Sequence, residues 1–255
     1  CSVPRFWEKV YAGVQEKIAE TTGIKKALML DAIRVGKIHN IDYLRKGKTP
    51  PLMLHLKYQF YEKTVYSLLK KTIGIENGNF FPTAGAAVPD EICEFVHSVG
   101  INMLVGYGLT ESTATVSCFQ NSGYEIGSVG TVMPDVEVKI GENNEILLRG
   151  KTITKGYYKK AEATAEAIDK EGWFHTGDAG YLNGDCLYLT ERIKDLFKTS
   201  NGKYISPQAL ETKLAIDRYI DQIAIIADQR KFVSALIVPM YGFVKDYAKE
   251  KGIEY

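Results

Sequence analysis

Two short apolar runs bracket one amphipathic helix between residues 79 and 108. Nothing else in the chain limits the fold as strongly. "NFFPTAGAAVP" (79–89) reads as a short strand followed by a glycine turn. "PDEICEFVHSV" (89–99) reads as a helix with Asp90 and Glu91 in its first turn, where the helix dipole favours acids. "INMLVGYG" (101–108) is then a buried strand. Strand, helix and strand in so short a span argue for an α/β unit, because parallel strands need a crossover between them.

Helices come before this unit. Phe6, Val10, Val14 and Ile18 recur at four-residue steps, with Trp7 and Tyr11 flanking, so residues 4–21 form an amphipathic helix with Pro4 in its first turn. A second helix is expected over 23–38 and a third over 58–73, the latter with Tyr61, Val65, Leu68, Leu69 and Ile73 inward. Between them "RKGKTPP" (45–51) opens a basic stretch read as a solvated loop. Strands dominate afterwards: "TATVSCF" (113–119), "SVGTVM" (128–133), "VEVKI" (136–140) and "EILLRG" (145–150), with "GENNE" (141–145) as a hairpin loop. A short helix, "AEATAEAI" (161–168), leads to glycine-marked turns at 172–185. Beyond Asp195 the pattern is strand, helix from Pro207, strands 222–228 and 232–239, and helix 241–251, the start of a small α+β domain.

The balance of charge excludes simple electrostatic partners. There are 32 basic and 31 acidic residues, a net of +1, so no global attraction to nucleic acid arises. No run approaches the roughly 18 apolar residues of a membrane span. Cys1, Cys93, Cys118 and Cys186 are scattered without a CxxC pair, which favours reduced thiols and a cytoplasmic setting. Cys93 and Cys118 read as buried apolar residues. The histidines at 39, 55, 97 and 175 show no zinc spacing, and His175 reads as a packed loop residue. The start lacks an initiator Met and an apolar leader, so a chain cut from a longer one is expected.

Four polar turns interrupt the apolar framework: "TAGAAVP" (83–89), "GYGLTES" (106–112), "GWFHTGD" (172–178) and "ERIKDLFKTSNGK" (191–203). Ligands of α/β sheets sit beyond the carboxyl ends of parallel strands, where the first two turns lie. Small residues at 84–87 admit a flat ring. Tyr107 offers an aromatic face, Thr110 a hydroxyl, and Glu111 a hard oxygen suited to Mg2+ bridging phosphates. Asp178 suits a ribose diol, and Arg192 a phosphate or sugar hydroxyl. Each turn also has a plainer reading. Thr110 or Ser112 can cap a helix, Gly177-Asp178 can be a simple turn, and Tyr107 can be core.

Taken in order, the four turns resemble the motifs of the adenylate-forming enzymes: acyl-CoA synthetases, luciferases and peptide-synthetase adenylation domains. "GYGLTES" is similar to Y-G-x-T-E, "GWFHTGD" to W-F-x-T-G-D, and "ERIKDLFKTSNGKYISP" to the R-x-K-D hinge with its G-K-x-I-x-P loop. "TAGAAVP" resembles S-G-G-A-x-x-P, with Thr83 and Ala84 in place of Ser and Gly. The opening "VPRFWEKVYAGVQEKI" resembles a segment of long-chain acyl-CoA synthetases.

The resemblance implies the later part of the large domain (1–192), with an α/β subdomain and a short-stranded β subdomain, then the first half of a small mobile α+β domain (193–255). It implies ATP-dependent activation of a long-chain fatty acid to an acyl-adenylate, then transfer to coenzyme A with release of pyrophosphate and AMP. Gly85, Ala86, Tyr107 and Gly108 would hold the adenine end of ATP or AMP, Thr110 a phosphate, and Glu111 Mg2+. Asp178 and Arg192 would hold the ribose, Lys194 would be the hinge, and Gly202 and Lys203 would enter the site for thioester formation. Thr110, Glu111 and Lys194 are the candidate catalytic residues. The family's phosphate loop and its C-terminal lysine have no counterpart here, so the chain alone is expected not to adenylate. Peripheral contact with the inner face of the membrane and a homodimer stay open. So do ligases for other acids and a nucleotide-binding module without catalysis.

Overall fold

The computed structural model describes residues 1–113, 115–198, 204–227 and 230–254, without the side chains of Lys194, Lys198 and Tyr204. The chain divides into two compact units. The first comprises Cys1–Lys139, Leu147–His175 and Leu182–Tyr188; the second comprises Ile140–Ile146, Thr176–Tyr181 and Leu189–Tyr255.

In the first unit, helix α1 (Pro4–Glu20) starts on Pro4, whose missing N–H costs nothing there. Its inward face turns on Trp7, which is fully buried, with Ile18 buried as well; Phe6, expected inside, is exposed. The indole decides this. Trp7 Nε1 donates to Thr83 Oγ1 at 2.8 Å and to Ser2 Oγ at 2.9 Å, and a phenyl ring cannot satisfy those partners.

Helix α2 (Gly23–Gly36) runs on into a π-helical segment (Lys37–Leu44), past its expected end. Helix α3 (Leu52–Tyr61) starts six residues before Tyr58, directly after Pro50-Pro51, and passes through π-helical Glu62–Tyr66 into α4 (Ser67–Thr72). The wide turn shifts the helical register, so Leu68 emerges to solvent while Val65, Leu69 and Ile73 stay on the core. Arg45 is not solvated as the basic loop was expected to be. It donates to the Tyr124 carbonyl at 3.1 Å and pairs with Glu125 at 2.9 Å.

Residues 23–72 carry eleven basic and three acidic side chains, a net of +8 against +1 for the whole chain. Among them Ile24, Leu52, Met53, Leu56 and Phe60 are exposed, Ile24 by 80% and Met53 by 78%.

Strand β1 (Phe81–Thr83), helix α5 (Asp90–Ser98) and strand β2 (Met103–Tyr107) form the expected unit. β1 and β2 are parallel, with Phe81 opposite Met103 and Thr83 opposite Val105. Ile92, Cys93, Phe95 and Val96 of α5 fill the core with Trp7, Tyr61, Tyr66 and Met103. Burial pushes the Cys93 thiol up to about 12. Cys118 is only half-buried, contrary to expectation. Burial also lowers His97 to about 4, and its Nε2 has no hydrogen-bond partner among the described residues.

The remaining elements are β3 (Ser117–Cys118), β4 (Thr131–Val132), β5 (Val136–Ile140), β6 (Glu145–Gly150), α6 (Ala161–Ala167), β7 (Phe174–Asn183) and β8 (Cys186–Arg192). All eight strands contribute residues to the first unit, in the order β1-β2-β3-β4-β8-β7-β6-β5. The sheet is mixed: β1/β2 is parallel, whereas β2/β3, β3/β4 and β4/β8 are antiparallel. The fold class is therefore α/β, as expected.

The second unit adds β9 (Phe197–Lys198) antiparallel to β10 (Tyr204–Ile205). Helix α7 (Pro207–Leu214) and strands β11 (Ile220–Ile226) and β12 (Ser234–Pro239) follow, with α8 (Tyr241–Lys251) last. β11 and β12 pair antiparallel, and Ile225 N–H donates to Glu211 Oε1 of α7 at 2.8 Å.

Candidate functional site

The turns after β1 and β2 leave neighbouring parallel strands at the same, carboxyl end. The first is open: Thr83 is fully buried, while Gly85 and Ala86 are exposed. Gly85 has φ +94°, and a Cβ placed there meets nothing within 4 Å, so the backbone is accessible to a flat ligand.

The second turn is built around a buried serine. Tyr107 ends β2 and is itself buried, as its plainer reading has it. Leu109 N–H donates to Ser112 Oγ at 2.8 Å, and Ser112 Oγ donates back to the Leu109 carbonyl at 3.0 Å. Of the two hydroxyls weighed as caps, Ser112 holds the turn, and Thr110 is left exposed beside Gly108. Thr110–Ser112 form a single 3-10 turn that presents Glu111 half-buried.

A distant segment then closes on Glu111. Thr154 N–H donates to the Glu111 carbonyl at 2.7 Å, and Thr113 Oγ1 donates to the Thr152 carbonyl at 2.7 Å. The Tyr157 hydroxyl donates to Glu111 Oε1 at 2.9 Å. That bond to the carboxylate raises the Tyr157 phenol above its ordinary value. Tyr157 carried no role in the sequence reading. The only local signal was an aromatic pair after a glycine in "TKGYYKK".

Among the described residues, no Lys or Arg makes an ion pair with Glu111, and no group of three or more His, Cys, Asp or Glu side chains gathers to hold a metal. One unpaired carboxylate suits Mg2+, which takes one or two protein carboxylates and fills its octahedron with phosphate oxygens and water. It does not suit a cation that needs a cage of protein ligands.

Asp178 and Arg192 lie in the second unit, and the structure brings them together. Asp178 is 8% exposed, and its Oδ1 accepts from Arg192 Nε at 3.2 Å. Thr176 fixes the local backbone: its Oγ1 accepts from Asp178 N–H at 3.0 Å and donates to the Ile146 carbonyl at 2.7 Å. Gly177 has φ +74° and donates its N–H to Glu145 Oε1 at 2.9 Å, but it lies with Asp178 inside strand β7, so the simple-turn reading does not hold. Arg192 is half exposed and lies 3.9 Å from Asp195. His175 sits on β7, not in a loop, 3.9 Å from Asp169. Lys194 falls in the 3-10 turn Ile193–Asp195, but its side chain lies outside the described residues, as do Gly202 and Lys203.

Residues 1–158 match the AMP-binding enzyme family. The peroxisomal long chain acyl-CoA synthetase 7 of Arabidopsis thaliana is 30% identical over 272 residues, covering 100% of this chain and 37% of that protein. The o-succinylbenzoate coenzyme A synthetase of Bacillus subtilis, solved in complex with ATP and magnesium ion, has a TM-score of 0.57 at 26% identity, covering 68% of this chain and 40% of that one. The adenylation domain of a carboxylate reductase from Mycobacterium chelonae shares the fold over 98% of this chain and 36% of its own, with a TM-score of 0.68 at 22% identity. The chain spans 37% to 45% of the length of the first curated relatives that it matches. On the match over residues 1–158, the chain belongs to the AMP-binding enzyme family.

Proposed function

We propose that this chain is the later part of a longer AMP-forming ligase that activates a long-chain fatty acid and passes it to coenzyme A. The observation that carries the reading is the Glu111 turn: a carboxylate with no cationic partner among the described residues, beside an exposed threonine hydroxyl, at the carboxyl end of a parallel strand. The likeness of the whole chain to a long chain acyl-CoA synthetase supports the substrate class.

In the proposed reaction a fatty carboxylate oxygen attacks the α-phosphorus of ATP, and pyrophosphate leaves with the electrons of the broken P–O bond. The coenzyme A thiolate sulfur then attacks the acyl carbon, and AMP leaves. Gly85 and Ala86 give the adenine a flat backbone wall, with Tyr107 and Gly108 behind the turn. Thr110 donates to a phosphate oxygen, and Glu111 supplies the protein oxygen for Mg2+, which neutralises phosphate charge when bound. Asp178 accepts from ribose hydroxyls while Arg192 holds its carboxylate in place. Lys194 is the hinge of a small domain starting near residue 193, and Gly202 and Lys203 enter the site for thioester formation. Placement in the cytoplasm is part of the same proposal.

A second reading keeps the mechanism and changes the acid: likeness to an o-succinylbenzoate ligase supports an aryl substrate. Acid-dependent ATP–pyrophosphate exchange by the full-length protein separates them. A panel from acetate through palmitate to benzoate should peak on long chains, and a peak on an aryl acid discards the fatty-acid reading. Absence of exchange with every acid tested, alongside intact nucleotide binding, discards the ligase reading altogether.

A further inference from the structure

The segment Thr152–Tyr157 touches Glu111 from outside every motif named above. Three bonds join it to the turn: Thr154 N–H to the Glu111 carbonyl, Thr113 Oγ1 to the Thr152 carbonyl, and the Tyr157 hydroxyl to Glu111 Oε1. The segment is itself braced. Thr154 Oγ1 accepts from Gly156 N–H at 3.2 Å and donates to the Gly156 carbonyl at 3.1 Å. Tyr157 N–H donates to Thr164 Oγ1 at 2.9 Å, which in turn donates to the Lys160 carbonyl at 2.9 Å, so the base of α6 anchors the tyrosine. Gly156 has φ +137°, and a Cβ there would come within 2.4 Å of Thr164 Cγ2. The close approach of this loop to α6 therefore requires glycine.

A tyrosine hydroxyl is a selective brace for a metal-binding carboxylate. It donates one hydrogen bond and brings no positive charge, so it orients the group without neutralising it. A lysine or arginine in that place would compete with the cation. Here the hydroxyl takes Oε1, and no cationic side chain among the described residues pairs with Glu111.

We propose that Tyr157 is a positioning residue for Glu111: by occupying Oε1 it fixes the carboxylate so that Oε2 is presented, one oxygen at a time, to a divalent cation. This rests on the reading of Glu111 as the metal-binding carboxylate and adds the residue that orients it.

The test uses the full-length protein with an unreactive ATP analogue and Mn2+ as the probe. Bound Mn2+ is read from loss of the free-ion electron paramagnetic resonance signal. Tyr157→Phe should raise the half-saturating Mn2+ concentration roughly 10-fold, the scale of an outer partner of a metal ligand, with the stoichiometry unchanged. Tyr158→Phe is the control, since Tyr158 is 87% exposed and hydrogen-bonds no part of Glu111; it should leave the titration unmoved. Tyr157 is itself 36% exposed, so loss of one hydroxyl leaves packing in place. If Tyr157→Phe titrates like the parent while Glu111→Ala loses the bound Mn2+, the positioning role is overturned and the Glu111 reading stands. If Glu111→Ala also titrates like the parent, the Glu111 reading falls and the inference with it.

Discussion

Glu111 and Asp178 are both candidate nucleotide-binding acids, and their surroundings differ in kind. Asp178 is nearly buried and spends an oxygen on Arg192 of its own chain. Glu111 is half-buried, has no cationic partner among the described residues, and is steadied by a phenol instead. A carboxylate paired with a guanidinium is already charge-compensated, so its remaining capacity suits neutral hydroxyl donors. An uncompensated one keeps its full charge for a cation. Two acids thus acquire two roles from their neighbours.

The largest expected effect would break the comparison outright. Glu111→Ala should lower acid-dependent ATP–pyrophosphate exchange about 100-fold, the upper end of effects at a metal site, and added Mg2+ should restore part of it. Asp178→Asn should raise KM for ATP about 10-fold, as loss of one such bond allows, without moving the Mg2+ dependence. An equal Mg2+ shift in both variants would mean that the two acids do not divide the work.

Stability should sort them in the opposite order. Asp178→Asn should cost about 1 kcal/mol in urea unfolding, a value discounted because Arg192 is half exposed. Glu111→Gln should stay within about 0.5 kcal/mol, since the amide oxygen still accepts from Tyr157. A larger loss at Glu111 would make that turn structural.

The smallest effect is a titration. Tyr157 has a native pKa above its unfolded value because it donates to Glu111. Its contribution is whole below about pH 10 and is lost as pH rises through the native value. Glu111→Gln should therefore lower the alkaline midpoint of the phenol that Tyr157→Phe removes, read by phenolate difference absorbance. An unchanged midpoint would show that the carboxylate does not set it.

The unit β1–α5–β2 is legible in the sequence because each element shows one clean periodicity and the crossover admits one pairing. The Glu111 turn is legible as a motif, and Asp178 with Arg192 likewise. Three features are not. The inward face of α1 turns on which of Phe6 and Trp7 can satisfy Thr83, a partner 76 residues away from the tryptophan. The start of α3 is hidden because Leu52–Tyr61 is apolar almost all round, so periodicity gives no phase. Tyr157 reaches Glu111 across 46 residues, and a long-range hydroxyl leaves no mark in local pattern.

The basic, leucine-bearing helices of residues 23–72 bear on how the protein behaves at a bench. A net charge of +1 suggests a molecule indifferent to ion exchangers near neutral pH. A stretch with a net of +8, with Lys25, Lys46, Lys48 and Lys63 exposed, should instead hold to a sulfonated resin and elute with salt. The exposed Met53 and Phe60 would then favour self-association once that salt screens the lysines, so purification calls for elution into low protein concentration.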